Sequence, residues 1–426
     1  MLDVSIEIGG SQIHVGEIEG DDSSRARFCY SKSYLEGPDP RPISIRLPLR
    51  SRPYSTEETR RFFEGLLPEG FTRRSVASYI HADAADYITI LSSLGKECLG
   101  AVLIEPQGEE SVGEGSYERL SIDRVRALAR EGATKSAQLV TKAHLSLTGA
   151  SGKVGLYYDD KGKEWYLPKG TAPSTHIVKQ SHIRLEAIVI NEQLSMKTAA
   201  GMGLEVPDSF IINVGDSEDG DILYATERYD RIFSDRPEKT EGLVRPCRLH
   251  QEDFAQALGV GSANKYEKNR AGYFTAMFDL LRRYSANPIE DQIKLWNIVI
   301  FDYLVGNTDN HLKNYSLLYD NNLKGIRLAP AYDIVSTCVY PESTRDMAFY
   351  IGSDCSLDDI DRDSFKEAAR EVGLGLRLAM RAFDRQCQAF KGALDRAVDN
   401  LSSLGFDKAE EIGKTILRNG GISRFL

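Results

Sequence analysis

An apolar helix that runs into a polar loop and then a hairpin, between Ile298 and Thr337, limits the possible folds more than any other stretch. The apolar run at 298–305 predicts the end of a buried helix, and Gly306 ends it because a residue without Cβ turns the chain at low cost. The polar loop NTDNHLKN follows. Two short apolar runs joined by DNNLKG then predict a β-hairpin at 315–329. The helix end and the hairpin therefore hold the loop from both sides.

Three side chains of this stretch form an ordered set, namely Asp309, Asn314 and Asp333. Phosphoryl transfer from ATP needs a carboxylate that accepts the proton of the substrate hydroxyl, here Asp309. It also needs oxygen ligands for Mg²⁺, here Asn314 and Asp333. Protein kinases carry Asp-x-x-x-x-Asn and then a metal-binding Asp in this order. Each residue alone is more often a turn residue, but the ordered set after a buried helix predicts a catalytic loop.

A glycine-containing loop earlier in the chain suits the phosphates of a nucleotide. The segment HLSLTGASGKVGLYY at 144–158 predicts a strand, a glycine loop and a second strand. Backbone amides at Gly149 and Gly152 can approach a phosphate, and Lys153 adds positive charge. The spacing fails that of a P-loop, which has four residues between its first glycine and Gly-Lys. The sequence therefore disfavours a P-loop NTPase.

Further residues match the nucleotide-binding parts of a kinase lobe. Lys179 ends an apolar strand, where kinases place the lysine that holds the α- and β-phosphates, although a surface lysine at a strand end is ordinary. Glu192 lies in a predicted helix at 185–203 and is the candidate ion-pair partner of that lysine. Glu227 and Tyr229 lie in the motif ERYDR, at the position expected of the hinge that meets adenine. Ion pairing by the two arginines of the motif is an equally good reading.

These residues together resemble one known family. GNTDNHLKNYS followed by PAYDIVS is similar to the core of the HipA-type serine/threonine kinases, the toxins of type II (HipBA-like) toxin–antitoxin pairs. FEGLLPEG, Asn191-Glu192 and ERYDR extend the resemblance over nearly the whole chain. The chain departs from ordinary protein kinases, since His311 follows Asp309 by two residues and Ile-Val follows Asp333. The glycine loop departs from the family, which usually has Gln-Glu at 151–152.

The resemblance implies a protein-kinase-like two-lobed fold of the α+β class. The strand-rich N-terminal subdomain would span 1–105, the ATP-binding lobe with its glycine loop and hinge 106–240, and the helical catalytic lobe 241–426. The length of 426 residues agrees with two or three domains.

The resemblance also implies function. The chain would be a toxin that uses ATP and Mg²⁺ to phosphorylate a translation component, for which an aminoacyl-tRNA synthetase such as glutamyl-tRNA synthetase is the family's best-known example. It would autophosphorylate at Ser146 in the glycine loop, with Ser151 as the second candidate. Its partner would be a small helix-turn-helix antitoxin, HipB-like, through which alone it would bind operator DNA. An inactive kinase fold acting as an interaction module or corepressor, and a lipid or small-molecule phosphotransferase, are the alternatives.

Composition excludes several other classes. A net charge of −10 makes the chain a poor nucleic-acid binder by itself. The six cysteines contain no C-x-x-C pair, so neither a zinc site nor a disulfide framework is indicated. No apolar run approaches the ~20 residues of a membrane span, and the N-terminus lacks a signal-peptide pattern. We therefore expect a cytoplasmic protein with no membrane partner.

Local patterns add detail outside the catalytic stretch. Alternation predicts half-buried antiparallel strands in the first fifty residues, including Ile13 with Val15 on one face and a strand over ISIRLPL at 43–49. A short helix is predicted at 121–131 and another over QEDFAQAL at 251–258.

Overall fold

The computed structural model describes residues 1–108, 115–142, 152–182, 185–234 and 237–426, with backbone alone for 132–138 and 140–142. Strands and helices are both frequent over these residues, which confirms the α+β prediction. The described strands are β1 (Leu2–Ile8), β2 (Ser11–Glu19), β3 (Arg27–Tyr30), β4 (Val102–Pro106), β5 (Ser116–Arg119), β6 (Lys153–Asp159), β7 (Glu164–Lys169), β8 (His176–Gln180), β9 (Ser209–Asn213), β10 (Ile222–Glu227), β11 (Arg231–Ile232), β12 (Lys239–Thr240), β13 (Leu243–Val244), β14 (Cys247–Arg248), β15 (Gln251–Asp253), β16 (Ser316–Tyr319), β17 (Ile326–Leu328), β18 (Asp346–Ile351) and β19 (Asp354–Ser356).

The α-helices over the same residues range from one turn to eight. They are α1 (Lys32–Leu35), α2 (Thr56–Phe63), α3 (Gly70–Tyr79), α4 (Tyr87–Leu94), α5 (Ile122–Lys142), α6 (Ile188–Gly201), α7 (Phe254–Leu258), α8 (Tyr273–Tyr284), α9 (Pro288–Val305), α10 (Arg362–Glu371), α11 (Leu376–Ser403) and α12 (Lys408–Asn419). Within the described ranges, no helix combines the length and the apolar composition that crossing a bilayer requires.

The chain divides into two compact units that are each built from separate stretches. The first unit comprises Met1–His182, Ile212–Ser262 and Leu318–Gly325, and the second comprises Ile183–Ile211, Ala263–Leu317 and Ile326–Leu426. The segment 1–105 thus shares a unit with most of the predicted ATP-binding lobe. Helix α6, predicted as part of that lobe, belongs to the second unit.

The N-terminal sheet of the first unit has the strand order β3-β2-β1-β4 and is antiparallel. Val4 and Ile6 alternate with polar residues along β1 and are fully buried. The register with β2 shifts between Val4 and Ser5, which leaves Val15 as an extra residue on β2. This bulge reverses the alternation. Val15 is therefore buried while Ile13 is exposed, and the prediction of a shared face for these two was wrong.

The predicted strand at 43–49 is irregular chain in the structure. The side chain of Tyr30 forms hydrogen bonds to two backbone groups of this segment, in place of strand pairing. Its hydroxyl accepts from the amide of Ile43 (2.9 Å) and donates to the carbonyl of Leu47 (2.7 Å). The side chains of Ile43 and Leu47 are buried. The apolar pattern therefore predicted burial correctly, but the predicted strand was wrong.

Two predicted helices have different bounds in the structure. The helix predicted at 121–131 extends to Lys142 as α5. In QEDFAQAL, the first three residues form β15, and α7 begins only after Asp253. Asp253 caps this helix in a reciprocal capping box with Gln256, which fixes the start of α7 at that point.

A second antiparallel sheet in the first unit contains the strands β5-β7-β6-β8-β10 in that order. Its register places Lys153 of β6 opposite Lys179 of β8, and Lys179 opposite Tyr224 of β10. The three side chains therefore share one row and one face of the sheet.

The second unit is mainly helical, and its centre is α9. Residues 295–305 of this helix are mostly fully buried, with Trp296 and Phe301 among the largest side chains. Phe301 packs against Phe390 of α11, and Trp296 packs against Phe278 of α8. Burial on several faces holds α9 in place within the unit, and the polar loop begins where this helix ends.

Candidate active site

The polar loop at 307–314, which we term the catalytic loop, begins where α9 ends at Gly306. This glycine has φ +74°, a left-handed conformation that L side chains rarely adopt. A Cβ atom at this position would also lie 2.9 Å from Cβ of Cys338. Gly306 is thus required both for its backbone conformation and for the close approach of the chain at 338.

A buried carboxylate, Asp302, supports the loop from below. Its Oδ1 accepts from Nδ2 of Asn307 (2.9 Å) and its Oδ2 accepts from the hydroxyl of Tyr315 (2.8 Å), which also accepts from Nδ2 of Asn310 (3.3 Å). Burial raises the pKa of Asp302 to about 7, although these hydrogen bonds act in the opposite direction. Asp302 therefore binds both ends of the catalytic loop.

Asp309 lies exposed in this loop while its backbone is fixed. Its amide donates to Oδ1 of Asn307 (3.2 Å), and its carbonyl accepts from Nδ2 of Asn314 (2.7 Å) and from the amide of His311 (2.9 Å). The hydroxyl of Tyr266 donates to Oδ1 of Asp309. Asp309 and Asn314, five residues apart, are thus joined directly by a hydrogen bond.

The segment after β17 carries Asp333, whose φ is +59°. Aspartate tolerates this left-handed conformation better than most residues, and such backbones often occur at functional sites. The segment is held on both sides. The hydroxyl of Tyr332 donates to the carbonyl of Lys313 (2.9 Å), and Asn191 accepts from the amide of Ser336 (3.1 Å) and donates to its carbonyl (2.9 Å). Asp333 is thereby tied through its neighbours to the catalytic loop.

The first unit contains the candidate phosphate-binding lysines. Lys153 and Lys179 are cross-strand neighbours on β6 and β8, and both side chains are largely buried. Nζ of Lys179 lies 5.5 Å from the ring centroid of Tyr224. Two lysines on neighbouring strands can provide positive charge for an anion such as phosphate. Gly152 is buried immediately before β6.

The two arginines of the motif ERYDR, at the end of β10, have a structural role. Arg228 and Arg231 belong to a buried ion cluster, defined here as three guanidinium groups and three carboxylates: Arg228, Arg231, Arg248, Glu7, Glu97 and Asp230. Glu97 accepts from all three arginines and is fully buried. The two arginines of the motif therefore form ion pairs, which is one of the two roles considered for them from the sequence.

The other two candidates of this motif have different environments. Glu227 is exposed at the end of β10. The hydroxyl of Tyr229 donates to Oε1 of Gln251, whose Nε2 donates to Asp230 of the ion cluster (2.9 Å). Tyr229 is therefore oriented by the cluster.

The remaining candidates are only partly described. Glu192 is buried in α6 of the second unit, whereas its predicted partner Lys179 belongs to the first unit. Ser146, Gly149 and Ser151 lie outside the described residues. The autophosphorylation site and the predicted glycine loop therefore stay predictions.

Three features of this site were not predicted from the sequence. Asp302 had a signal, because it is an acidic residue inside the apolar run of α9. Asn191 was noted only as part of the Asn-Glu pattern, and its hold on Ser336 was not foreseen. Tyr266 had no signal, since it lies 43 residues before Asp309 in a loop of ordinary composition.

Two family models match the chain. Residues 6–105 match the model of the HipA N-terminal domain, and residues 145–394 match the model of the HipA-like C-terminal domain. Together the two matches cover most of the chain.

Individual proteins are similar over nearly the full length. A Sinorhizobium fredii protein named "Putative kinase Y4mE" is 34% identical over 93% of this chain and 92% of its own. The "Serine/threonine-protein kinase toxin HipA" of Shewanella oneidensis is 26% identical over 95% of this chain and 92% of its own. A solved chain from the Shewanella oneidensis complex of HipA, HipB and operator DNA aligns over 100% of this chain and 97% of its own, with a TM-score of 0.79 and 22% identity. This likeness confirms the fold predicted from the sequence.

Proposed function

This chain belongs to the HipA family, and from that premise we propose that it is a serine/threonine protein kinase acting as the toxin of a toxin–antitoxin pair. The observation that carries the proposal is the environment of Asp309. The carboxylate is exposed in a loop whose backbone is fixed by Asn307 and Asn314, which suits a group that must accept a proton from an incoming hydroxyl.

In the proposed reaction, the Oγ atom of a serine or threonine bonds to the γ-phosphorus of ATP. The bond from that phosphorus to the bridging oxygen breaks, and ADP leaves with the electron pair. The hydroxyl proton passes to the carboxylate of Asp309. Lys153 and Lys179 bind phosphate oxygens, for which their adjacent places on β6 and β8 provide concentrated positive charge.

The residues of the second unit fit a Mg²⁺ ion, which prefers oxygen ligands. Asn314 uses its amide nitrogen to bind the carbonyl of Asp309, so its oxygen is the atom suited to a cation. Asp333 provides a carboxylate from a half-buried position. When bound, the ion would neutralise charge on the phosphates.

The proposal extends to partners. The similar solved chain comes from a complex of HipA, HipB and operator DNA. We infer that this chain likewise binds a HipB-like helix-turn-helix antitoxin and reaches operator DNA through it, since its own net charge is −10. A translation component as acceptor, such as an aminoacyl-tRNA synthetase, and a cytoplasmic location stay predictions.

The test is transfer of ³²P from labelled ATP to protein, with Mg²⁺ and with EDTA. Asp309→Asn should reduce transfer by roughly two or more orders of magnitude while ATP binding persists. Asp333→Asn, which keeps a side chain tolerant of positive φ, should weaken the Mg²⁺ dependence of ATP binding. Asp346→Asn removes an exposed carboxylate of β18 and is the control.

Near-normal transfer by Asp309→Asn would refute the assignment of the proton acceptor. A wild-type chain that binds ATP and transfers no phosphate to any protein would favour the inactive interaction module. Transfer to lipid or small-molecule acceptors alone would favour the other alternative.

A further inference from the structure

Tyr266 is the residue whose hydroxyl contacts the proposed proton acceptor. It lies between residues 262–264, a single 3-10 turn, and α8. Its hydroxyl donates to Oδ1 of Asp309. Its ring meets the ring of His311 edge-on, with centroids 5.1 Å apart at 82°. The tyrosine thus touches the catalytic loop at two places, one polar and one aromatic.

The loop that carries Tyr266 is held firmly. The neighbouring Glu267 accepts from the amides of Gly272 (2.5 Å), Tyr273 (3.1 Å) and Tyr350 (2.9 Å). Its own amide donates to the carbonyl of Ala348 (2.7 Å). One carboxylate therefore fixes both the turn that leads into α8 and the contact with β18. This arrangement favours a permanent position for Tyr266 over a movable one.

The backbone of the same loop is also joined to the catalytic loop. The carbonyl of Lys265 accepts from the amide of Leu312 (3.4 Å). Nζ of Lys265 lies 5.5 Å from the ring centroid of Tyr266. The segment that supplies the tyrosine and the segment that supplies Asp309 are therefore attached directly.

A proton acceptor in an exposed loop needs its side chain to be oriented as well as its backbone. The amides of Asn307 and Asn314 fix only the backbone of Asp309. Each hydrogen bond to the carboxylate limits its rotation about the side-chain bonds, and misaimed groups lose rate steeply. A hydrogen bond to one carboxylate oxygen sets the direction of the other.

We propose that Tyr266 is a positioning residue for phosphoryl transfer, whose hydroxyl orients the Asp309 carboxylate toward the substrate hydroxyl. The inference rests on the proposed function, because it acts through the proton acceptor named there. It differs from an inhibitory role, in which the hydroxyl of Tyr266 would compete with the substrate for Asp309 and its removal would raise the rate.

The experiment compares Tyr266→Phe with Tyr273→Phe. The first removes the hydroxyl that reaches Asp309 and keeps the ring beside His311. The second removes a hydroxyl from the same region, one that donates to the carbonyl of Asn264 (2.7 Å). The measurement is the rate of ³²P transfer from Mg²⁺/ATP to the protein itself as a function of ATP concentration, together with thermal unfolding of each variant.

Tyr266→Phe should lower the maximal rate roughly 10- to 100-fold, with the ATP concentration for half-maximal rate and the melting temperature nearly unchanged. Tyr273→Phe should leave the maximal rate within about two-fold of wild type. In an Asp309→Asn background, Tyr266→Phe should cause no further loss, since its effect passes through the carboxylate.

Three results would overturn the inference. A faster Tyr266→Phe would show that the tyrosine competes with substrate. An unchanged rate would show that the carboxylate needs no such contact. An equal loss in both tyrosine variants, accompanied by equal loss of thermal stability, would show a general effect on the loop. Full activity of Asp309→Asn would instead refute the assignment of the proton acceptor in the proposed function, so the two failures are distinguishable.

Discussion

The buried ion cluster of the first unit and the catalytic loop of the second unit use carboxylates in opposite ways. In the cluster, burial acts to raise the pKa of Glu97 and of Asp230, but the adjacent guanidinium groups outweigh it. They hold the pKa of Glu97 well below its ordinary value and lower the pKa of Asp230 to about 2. Under the catalytic loop, the carboxylate of Asp302 is bound by two neutral groups, and burial raises its pKa to about 7.

This difference separates structural charge from functional charge. Glu7 of the N-terminal sheet pairs with Arg248 and also with the less buried Arg245. Glu97 joins Arg248 to Arg228 and Arg231, so the charges of the cluster hold these segments together. The catalytic loop is held in large part by side-chain amides and hydroxyls, and its one acidic side chain, Asp309, is exposed. The most charge-rich motif of the chain is therefore not the one that carries the proposed chemistry.

The comparison predicts the largest loss of stability for Glu97→Ala. Three buried guanidinium groups would lose their shared acceptor, at a cost of about 3–5 kcal/mol in the free energy of unfolding. The control is Asp395→Ala, which removes one partner of an exposed pair with Lys391 (2.6 Å) and should cost less than about 1 kcal/mol. Urea titration measures both. Equal costs would mean that the cluster contributes no more than a surface ion pair, and the contrast between the two regions would disappear.

The second prediction concerns the pH dependence that Asp302 imposes. Its pKa is about 7 in the folded protein, against an ordinary value of 3.8. Between these pH values the Asp302 carboxyl binds more protons in the folded protein than in the unfolded chain, so its contribution to stability falls as pH rises. We expect a loss on the order of 2–3 kcal/mol from pH 4 to pH 7, after allowance for relaxation around the buried charge. Asp302→Asn should remove this slope.

The control for that experiment is Glu252 in the first unit, whose pKa burial raises to about 7. Its titration contributes to the pH dependence of stability over the same range and with the same sign as that of Asp302. Wild type therefore contains both contributions. Glu252→Gln should remove one part and Asp302→Asn the other, as measured by urea titration at each pH. If Asp302→Asn kept the full pH slope of wild type, the Asp302 carboxylate would already be ionised in the folded wild-type protein. The contrast with Glu97 would then fail.

The elements that depend on local pattern were predictable from the sequence. Helix α9, its end at Gly306, the hairpin β16–β17 and the Asp309–Asn314 spacing all follow from residues close in the chain. Contacts between partners far apart in the chain could not be predicted in this way. Arg228 and Glu97 are 131 residues apart, and Tyr266 and Asp309 are 43 apart. No local rule selects such partners, because packing of the whole unit brings them together.

The smallest effect is expected for Thr337→Val, which tests whether neutral bonds hold the catalytic loop. Oγ1 of Thr337 accepts from the amide of Thr308 (2.7 Å), lies 2.6 Å from Oγ1 of Thr308 and lies 3.0 Å from the carbonyl of Gly306. That carbonyl also accepts from the amide of Cys338 (3.0 Å), so it keeps a partner in the variant. The buried amide of Thr308 loses the bond to Thr337, at a cost of about 1–2 kcal/mol. Thr337→Ser keeps the hydroxyl and should recover most of this stability in urea titration. If Val and Ser variants were equally stable, the hydroxyl of Thr337 would contribute nothing to the stability of the loop, and the contrast between neutral bonds here and charged bonds in the ion cluster would weaken.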